Sequence, residues 1–298
     1  MRIDVHQHLW PQPLIDALRA RGVPPRLEGW TLHTASAPPY QVEPADHDVA
    51  ARIALMDADG LDRALVSLSS PLGIEWLPAA EAAPVLDAYH AGVAALPGRF
   101  GAWAAAGLDS IDVAALERAL DAGCVGLQLP ADALVDRAGY ERCAPLLAVL
   151  ERRNAPLFVH PGPHPAPPAG APGWWPALSP YVHQMHDAWH AFGAFGRSAH
   201  PTLRVCFALL AGLGPLHGER LAARGGPARR RIDVDAFVET SSYGPRGVDA
   251  IVRVLGVDLV VLGSDRPYAT VPDFGFGDAF DHALAVANPA RLLYGSVH

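Results

Sequence analysis

A chain of 298 residues with 50% hydrophobic and 18% charged side chains can bury a large core, which excludes a coil or a solvated tail. Its formal charge of −8 argues against a nucleic-acid partner, which would want a basic surface. No uninterrupted apolar run reaches the length of a membrane span, and the start MRIDVHQH leaves no room for the apolar region of a signal peptide, so a cytoplasmic location is expected.

The first β-rich run, residues 2–8 (RIDVHQH), carries His6 and His8 near its end. Positions i and i+2 of a strand share a face, so both imidazoles project into one place. A Pro-rich connection of little periodicity, 9–45, follows and reads as a loop. Beyond it the pattern alternates between an amphipathic helix and a short apolar strand. Helices are expected at 46–60, 113–123, 140–154 and 244–256, several of them ending in Gly or Asn as helix C-termini prefer. Strands are expected at 63–70, 100–107, 124–130, 155–161, 203–210, 236–243 and 258–267, which with the first makes eight. A second long connection, 162–180 (GPHPAPPAGAPGWWPALSP), follows the fifth strand.

Eight strands alternating with helices predict a (β/α)8 TIM barrel, one domain over 1–298, with both long loops over the C-terminal face of the barrel. No strand is followed by G-x-G-x-x-G, which removes the Rossmann alternative. The three cysteines, Cys124, Cys143 and Cys206, are far apart in apolar segments and read as reduced core residues. Arg229, Arg230 and Arg231 form the one basic cluster and read as a solvated loop before the seventh strand.

Barrel enzymes place their chemistry at the C-terminal ends of the strands. There the sequence sets His6 and His8 on strand one, His160 (LFVHPG) on strand five and Asp265 (VLGSDRP) on strand eight. Three imidazoles and one carboxylate suit one divalent transition metal with open positions, Zn2+ first and Mn2+ as an alternative. Taken singly, each would read as a satisfied polar residue or a helix cap.

The set DVHQH, FVHPG, FVETSSYG, LGSDRP and the closing NPARLLYG resembles the amidohydrolase superfamily, in the amidohydrolase-2 branch that includes aminocarboxymuconate semialdehyde decarboxylase. The resemblance covers essentially the whole chain. It implies that His6, His8 and His160 are metal ligands and that Asp265 both binds the metal and handles a proton. The segment VCFALLAGLGPLHGER matches the family's sixth strand, where the decarboxylases read VCFAH and then Gly-rich sequence. Here the position of that acid or base histidine is Leu209, which can neither move a proton nor donate a hydrogen bond from its side chain.

Replacement groups would come from His164, His183, His186 or His217, each of which also reads as a surface or helix-packing histidine. His183 and His186, three apart, share a helix face. Arg220 lies where the decarboxylases reach a substrate carboxylate in a neighbouring subunit, which implies a homodimer; alternatively it is an exposed helix arginine. Trp174 and Trp175 match an aromatic gate or a lid anchor. Arg266 either orients Asp265 or pairs with a neighbour at the barrel rim. The candidate site is thus Asp265, Arg220 and His186 for catalysis and Trp174, Trp175, His164 and His183 for contact with a small-molecule substrate. His6, His8, His160 and Asp265 are its metal ligands.

The first expectation for function is hydrolysis of a small amide, lactone or related compound by metal-activated water, because metal and aspartate together supply Lewis acid and proton shuttle. The alternative is non-oxidative decarboxylation of an unsaturated or aromatic acid, favoured by the motifs and opposed by Leu209. A third reading is a barrel that binds a small molecule without turnover.

Overall fold

Eight short parallel strands carry the architecture of the computed structural model, which describes residues 1–226 and 232–295. They are β1 (Ile3–Gln7), β2 (Arg63–Val66), β3 (Phe100–Ala104), β4 (Gly126–Pro130), β5 (Leu157–His160), β6 (Val205–Phe207), β7 (Ala236–Glu239) and β8 (Val260–Val261). Each pairs with the next in sequence order. Backbone bonds then link the last strand region to the first. Val5 N–H donates to Leu262 O at 2.8 Å and His8 N–H to Arg266 O at 2.7 Å, while Gln7 bridges Arg266 in parallel register. This is the barrel the alternation predicts, with all eight strands in place.

The strands are shorter than their apolar runs. The run 203–210 leaves the ladder after Phe207, and 258–267 pairs with β7 only over Val260–Val261, touching β1 through Leu262 and Arg266. Leu259 and Leu262, flanking Val260–Val261, are also buried. The helices lie where the periodicity puts them: Val49–Ala58, Val113–Asp121, Arg137–Arg152 and Pro245–Leu255. Asp48, Asp112 and Asp136 cap the first three by accepting from the N–H groups of Ala51, Ala115 and Gly139. Arg229, Arg230 and Arg231 lie outside the described residues.

Inside the barrel, Trp103 of β3 stacks on Phe158 of β5 with ring centres 5.2 Å apart, and its indole N–H donates to Val5 O at 2.9 Å. These two rings floor the space beneath the end of β1, and the His6 ring meets Phe158 edge-on at 5.1 Å. Cys143 and Cys206 are buried and Cys124 is half-buried. Burial pushes the thiols of Cys124 and Cys143 up to about 12 and about 11, which keeps them protonated.

The connection 9–45 differs from the expected loop. It folds into a helix, Gln12–Ala20, and a small antiparallel sheet of Arg26–Glu28, Thr31–His33 and Tyr40–Gln41. Its prolines mislead, because Pro is tolerated in the first turn of a helix. The helix buries Leu14, Ile15 and Leu18 on one face. A stack ties this unit to the barrel: the Arg19 guanidinium lies 5.1 Å from the Trp30 ring, Trp30 stacks on His47, and His47 lies 4.6 Å from Trp10. Burial pushes His47 down to about 4, so it is neutral and its Nδ1 accepts from Trp10 N–H. Among the described residues no helix is long and apolar enough to cross a membrane.

Candidate metal centre

β1 delivers His6 and His8 to one place, as the i, i+2 spacing requires, and β5 delivers His160 beside them. The three ring centres are 4.9 to 5.1 Å apart and meet edge to face. Asp265 approaches from the segment after β8, where its backbone takes a φ of 59°, and its N–H donates to His6 O at 2.9 Å. Its Oδ1 lies 3.2 Å from His8 Nε2 and 3.5 Å from His6 Nε2. One ligand atom from each of the four residues falls within 4.8 Å of all the others, so the group could hold a metal ion.

What lies behind each ring decides whether the donor set fits. His6 Nδ1 faces Glu239 Oε1 at 3.1 Å, His8 Nδ1 faces Ser67 O at 3.1 Å, and His160 Nδ1 faces Pro161 O at 2.8 Å. A carboxylate and two carbonyls only accept, so every Nδ1 is placed to carry a proton, and the Nε2 atoms of His6 and His8, 3.1 Å apart and facing Asp265 Oδ1, are placed to offer lone pairs to an ion. Burial depresses His160 and His8 below the ordinary histidine range, adjacent imidazoles adding to the effect. At His6 burial acts the same way, but the carboxylates of Glu239 and Asp265 outweigh it and raise the net value. Three imidazoles and a carboxylate oxygen form a set that suits a borderline or hard divalent ion.

Other parts hold this geometry from outside. Arg52 is buried and donates to His8 O at 2.7 Å and Gln7 Oε1 at 2.5 Å, and Asp4 accepts from Ser264 Oγ at 2.5 Å across the β1 and β8 seam. Arg266 pairs with Asp59 at 2.6 Å, so it serves the rim rather than Asp265. At the mouth the Tyr268 ring lies 5.5 Å from His8 and the Tyr181 ring 5.5 Å from His164. Burial, with Tyr40 and Asp265 adding to it, raises both phenols, so they remain neutral donors.

The structure places the other candidates unevenly. His164 is at the mouth, nearly buried, with Nδ1 on Pro165 O at 2.8 Å. His183 is exposed on helix Pro180–Ala191. On that helix His186 packs against His190 and His217, at 4.7 and 5.0 Å between ring centres, rather than in the four-residue group. Trp174 and Trp175 adjoin each other at 6.1 Å, Trp174 being 59% exposed. Arg220 is exposed on the short helix Gly218–Ala223. That helix borders an outer groove of about 1060 Å³, lined by Trp189, Phe192, Leu221 and Val234 and remote in lining from the four ligands. Leu209 is buried and carries a φ of 54°.

Sequence reasoning missed Glu239, Ser67, Tyr181 and Tyr268. Tyr268 had a signal, standing three residues beyond Asp265. The backbone acceptors had none, since a carbonyl's role does not depend on side-chain identity.

No family model matches the chain, and no curated protein matches it by sequence. Solved structures do match. IDCase of Metarhizium anisopliae in apo form is 19% identical at a TM-score of 0.76, over 98% of this chain and 97% of that one. The 5-carboxyvanillate decarboxylase of Sphingomonas paucimobilis is 19% identical at 0.72, over 98% of each chain. The 5-carboxyvanillate decarboxylase of Novosphingobium aromaticivorans, a D314N mutant with bound manganese, is 17% identical at 0.75, over 98% of this chain and 97% of that one. The chain shares their fold. Decarboxylases predominate among these neighbours, which corrects the expectation of hydrolysis as the leading reaction. That metal and aspartate can together supply Lewis acid and proton shuttle does not select a reaction on a shared fold.

Proposed function

We propose that this protein is a metal-dependent, non-oxidative decarboxylase of the amidohydrolase superfamily, acting on a small aromatic or unsaturated carboxylic acid. The observation that carries the reading is the convergence of three histidines, each with Nδ1 facing an acceptor, and Asp265 at the mouth of a barrel whose neighbours are named as decarboxylases. In this reading His6, His8, His160 and Asp265 are the ligands. The ion is zinc or manganese, and the manganese-bound neighbours support the latter. A bound divalent ion would supply Lewis acidity toward a substrate oxygen.

The chain's own residues do the rest. With an ion bound, His6, His8 and His160 would be committed as its neutral ligands, which leaves Asp265 as the proton carrier. Its side chain is 17% exposed, against 1 and 2% for His6 and His8, so it meets both the centre and the mouth. Asp265 in its acid form gives a proton to the carbon that bears the carboxylate. The carbon–carboxylate bond then breaks, its electron pair returns to the π system, carbon dioxide leaves, and Asp265 regains a proton from water. Leu209 takes no part in proton transfer. Tyr181 and Tyr268 present neutral phenols to the substrate's polar substituents, with His164 beside them. Trp174, Trp175 and His183 lie on the loop and helix that follow β5 and would border the substrate's approach. His186, packed on His190 and His217, is not assigned a catalytic role, and Arg220 would act only through a homodimer. The same reading takes 1–298 as one domain in the cytoplasm.

The test is carbon dioxide release by the manganese- or zinc-loaded protein from a panel of hydroxylated benzoates and unsaturated acids. Release that disappears in Asp265→Asn supports the reading. Formation of a new acid from amides or lactones, with no carbon dioxide from any carboxylate, would overturn it.

A further inference from the structure

The chain after β6, LLAGL, does something that L-residues avoid. Leu209, Leu210, Ala211, Gly212 and Leu213 have φ values of 54°, 49°, 54°, 56° and 60°, and ψ is 35° at Leu210 and 36° at Ala211. That is one turn of left-handed helix, in which only Gly212 avoids a steric penalty. Strain of this kind persists only where the surroundings over-determine it. Here Leu209, Leu210, Ala211 and Gly212 are all buried, and helix Pro180–Ala191 presses so closely that a Cβ at Gly212 would collide with Val182 O.

At its start the turn is fastened to one side chain. Leu209 N–H donates to Glu239 Oε1 at 2.9 Å. The same oxygen accepts from Ser241 Oγ at 2.5 Å and faces His6 Nδ1 at 3.1 Å, while Oε2 accepts from Ser241 N–H at 2.5 Å. Glu239 is fully buried, yet these donors satisfy it from three strand ends, β1, β6 and β7. The fourth side is cleared for it, because a Cβ at Gly263, just past β8, would collide with the carboxylate.

We propose that Glu239 is a positioning residue that locks the His6 ring and the left-handed turn at Leu209 to each other. Its charge holds the proton on His6 Nδ1 and aims Nε2 at the metal locus. The turn's N–H, in return, stops the carboxylate from rotating away. Leu209 therefore serves through its backbone at a position whose side chain does no chemistry. The inference rests on the metal-site reading, and it concerns ligand geometry rather than the reaction.

The test uses the full-length wild type, Glu239→Gln and Gly263→Ala. Glu239→Gln removes the charge and keeps an acceptor; Gly263→Ala keeps the charge and displaces the carboxylate. Zinc affinity is measured by competition with a chromophoric chelator, and the His6 tautomer by 15N NMR of the metal-free protein, titrated to a pH at which its imidazole is neutral. The expected result is wild-type His6 as the Nδ1–H tautomer, with mixed tautomers in both variants and zinc affinity lowered by about 10- to 100-fold. Folded variants with wild-type tautomer and affinity would overturn the proposal while leaving the metal site intact. A wild type that binds no zinc would overturn the proposal and the metal-site reading together. Should Glu239→Gln fail to fold, Gly263→Ala gives both readouts alone.

Discussion

Single residues divide into those whose type announced their work and those whose work depends on what they touch. His6, His8, His160 and Asp265 were legible because metal chemistry limits ligands to a few residue types and a barrel limits them to strand ends. Glu239 stands in plain view in FVETSSYG, but nothing in its spacing shows that it, at the end of β7, faces His6 on β1. Glu75 is a further case. It is fully buried, accepts from Ser70 Oγ, and burial raises its carboxyl from 4.5 to about 7. A folded-state value above the unfolded one means that the folded chain binds the proton more tightly. Stability from this group is complete below pH 4.5 and is lost as pH rises through about 7. The loss amounts to roughly 3 kcal/mol at most. Urea melts of wild type and Glu75→Gln at pH 5 and pH 8 should therefore show the variant relatively more stable at the higher pH. A stability difference that does not change with pH would contradict the assignment. At the centre itself, Asp265→Asn is expected to lower kcat by about 10²- to 10⁴-fold, the usual contribution of a positioned acid. Metal-loaded Asp265→Asn with wild-type kcat would remove Asp265 as the proton carrier.

At the scale of elements, period and caps locate the strands and helices, and the connection 162–180 is largely the loop expected of it, whereas 9–45 is not. The region 9–45 hides a helix behind Pro11 and Pro13 and a small sheet behind strands of two and three residues, each too short to show a period. It buries Leu14, Leu18, Leu27 and Leu32, and the Trp30, His47 and Trp10 stack ties it to the barrel. Trp30→Ala should thus speed proteolytic cleavage within 21–45 and leave the barrel's main unfolding transition almost unchanged. Coincident loss of both would mean that the unit and the barrel unfold together. The left-handed turn makes an opposite kind of prediction. A buried Ala→Gly change ordinarily costs about 1 kcal/mol through backbone entropy and lost contact. At Ala211, relief of a left-handed penalty of about 1–2 kcal/mol offsets that cost. Ala211→Gly should leave stability unchanged or slightly raised in urea titration, and a loss well above the ordinary cost would show that the turn is not strained.

For the whole molecule, the barrel followed from counting, because eight alternating units close in few other ways. The reaction did not, since one fold hosts many chemistries and the hydrolytic expectation rested on economy of groups. Composition narrows the choice in one respect: the chain contains no lysine, so neither a Schiff base nor a carboxylated lysine bridging two metals is open to it. Among the described residues that leaves the group His6, His8, His160 and Asp265 as the centre the proposed chemistry would use. The most direct measurement is the metal content of purified protein after chelation and reloading, by mass spectrometry, in wild type and His8→Ala. The account predicts about one equivalent of zinc or manganese in the wild type, a higher Tm when loaded, and loss of both in a folded His8→Ala. A folded wild type that cannot be loaded, or a His8→Ala that holds the ion as tightly as the wild type, would contradict it.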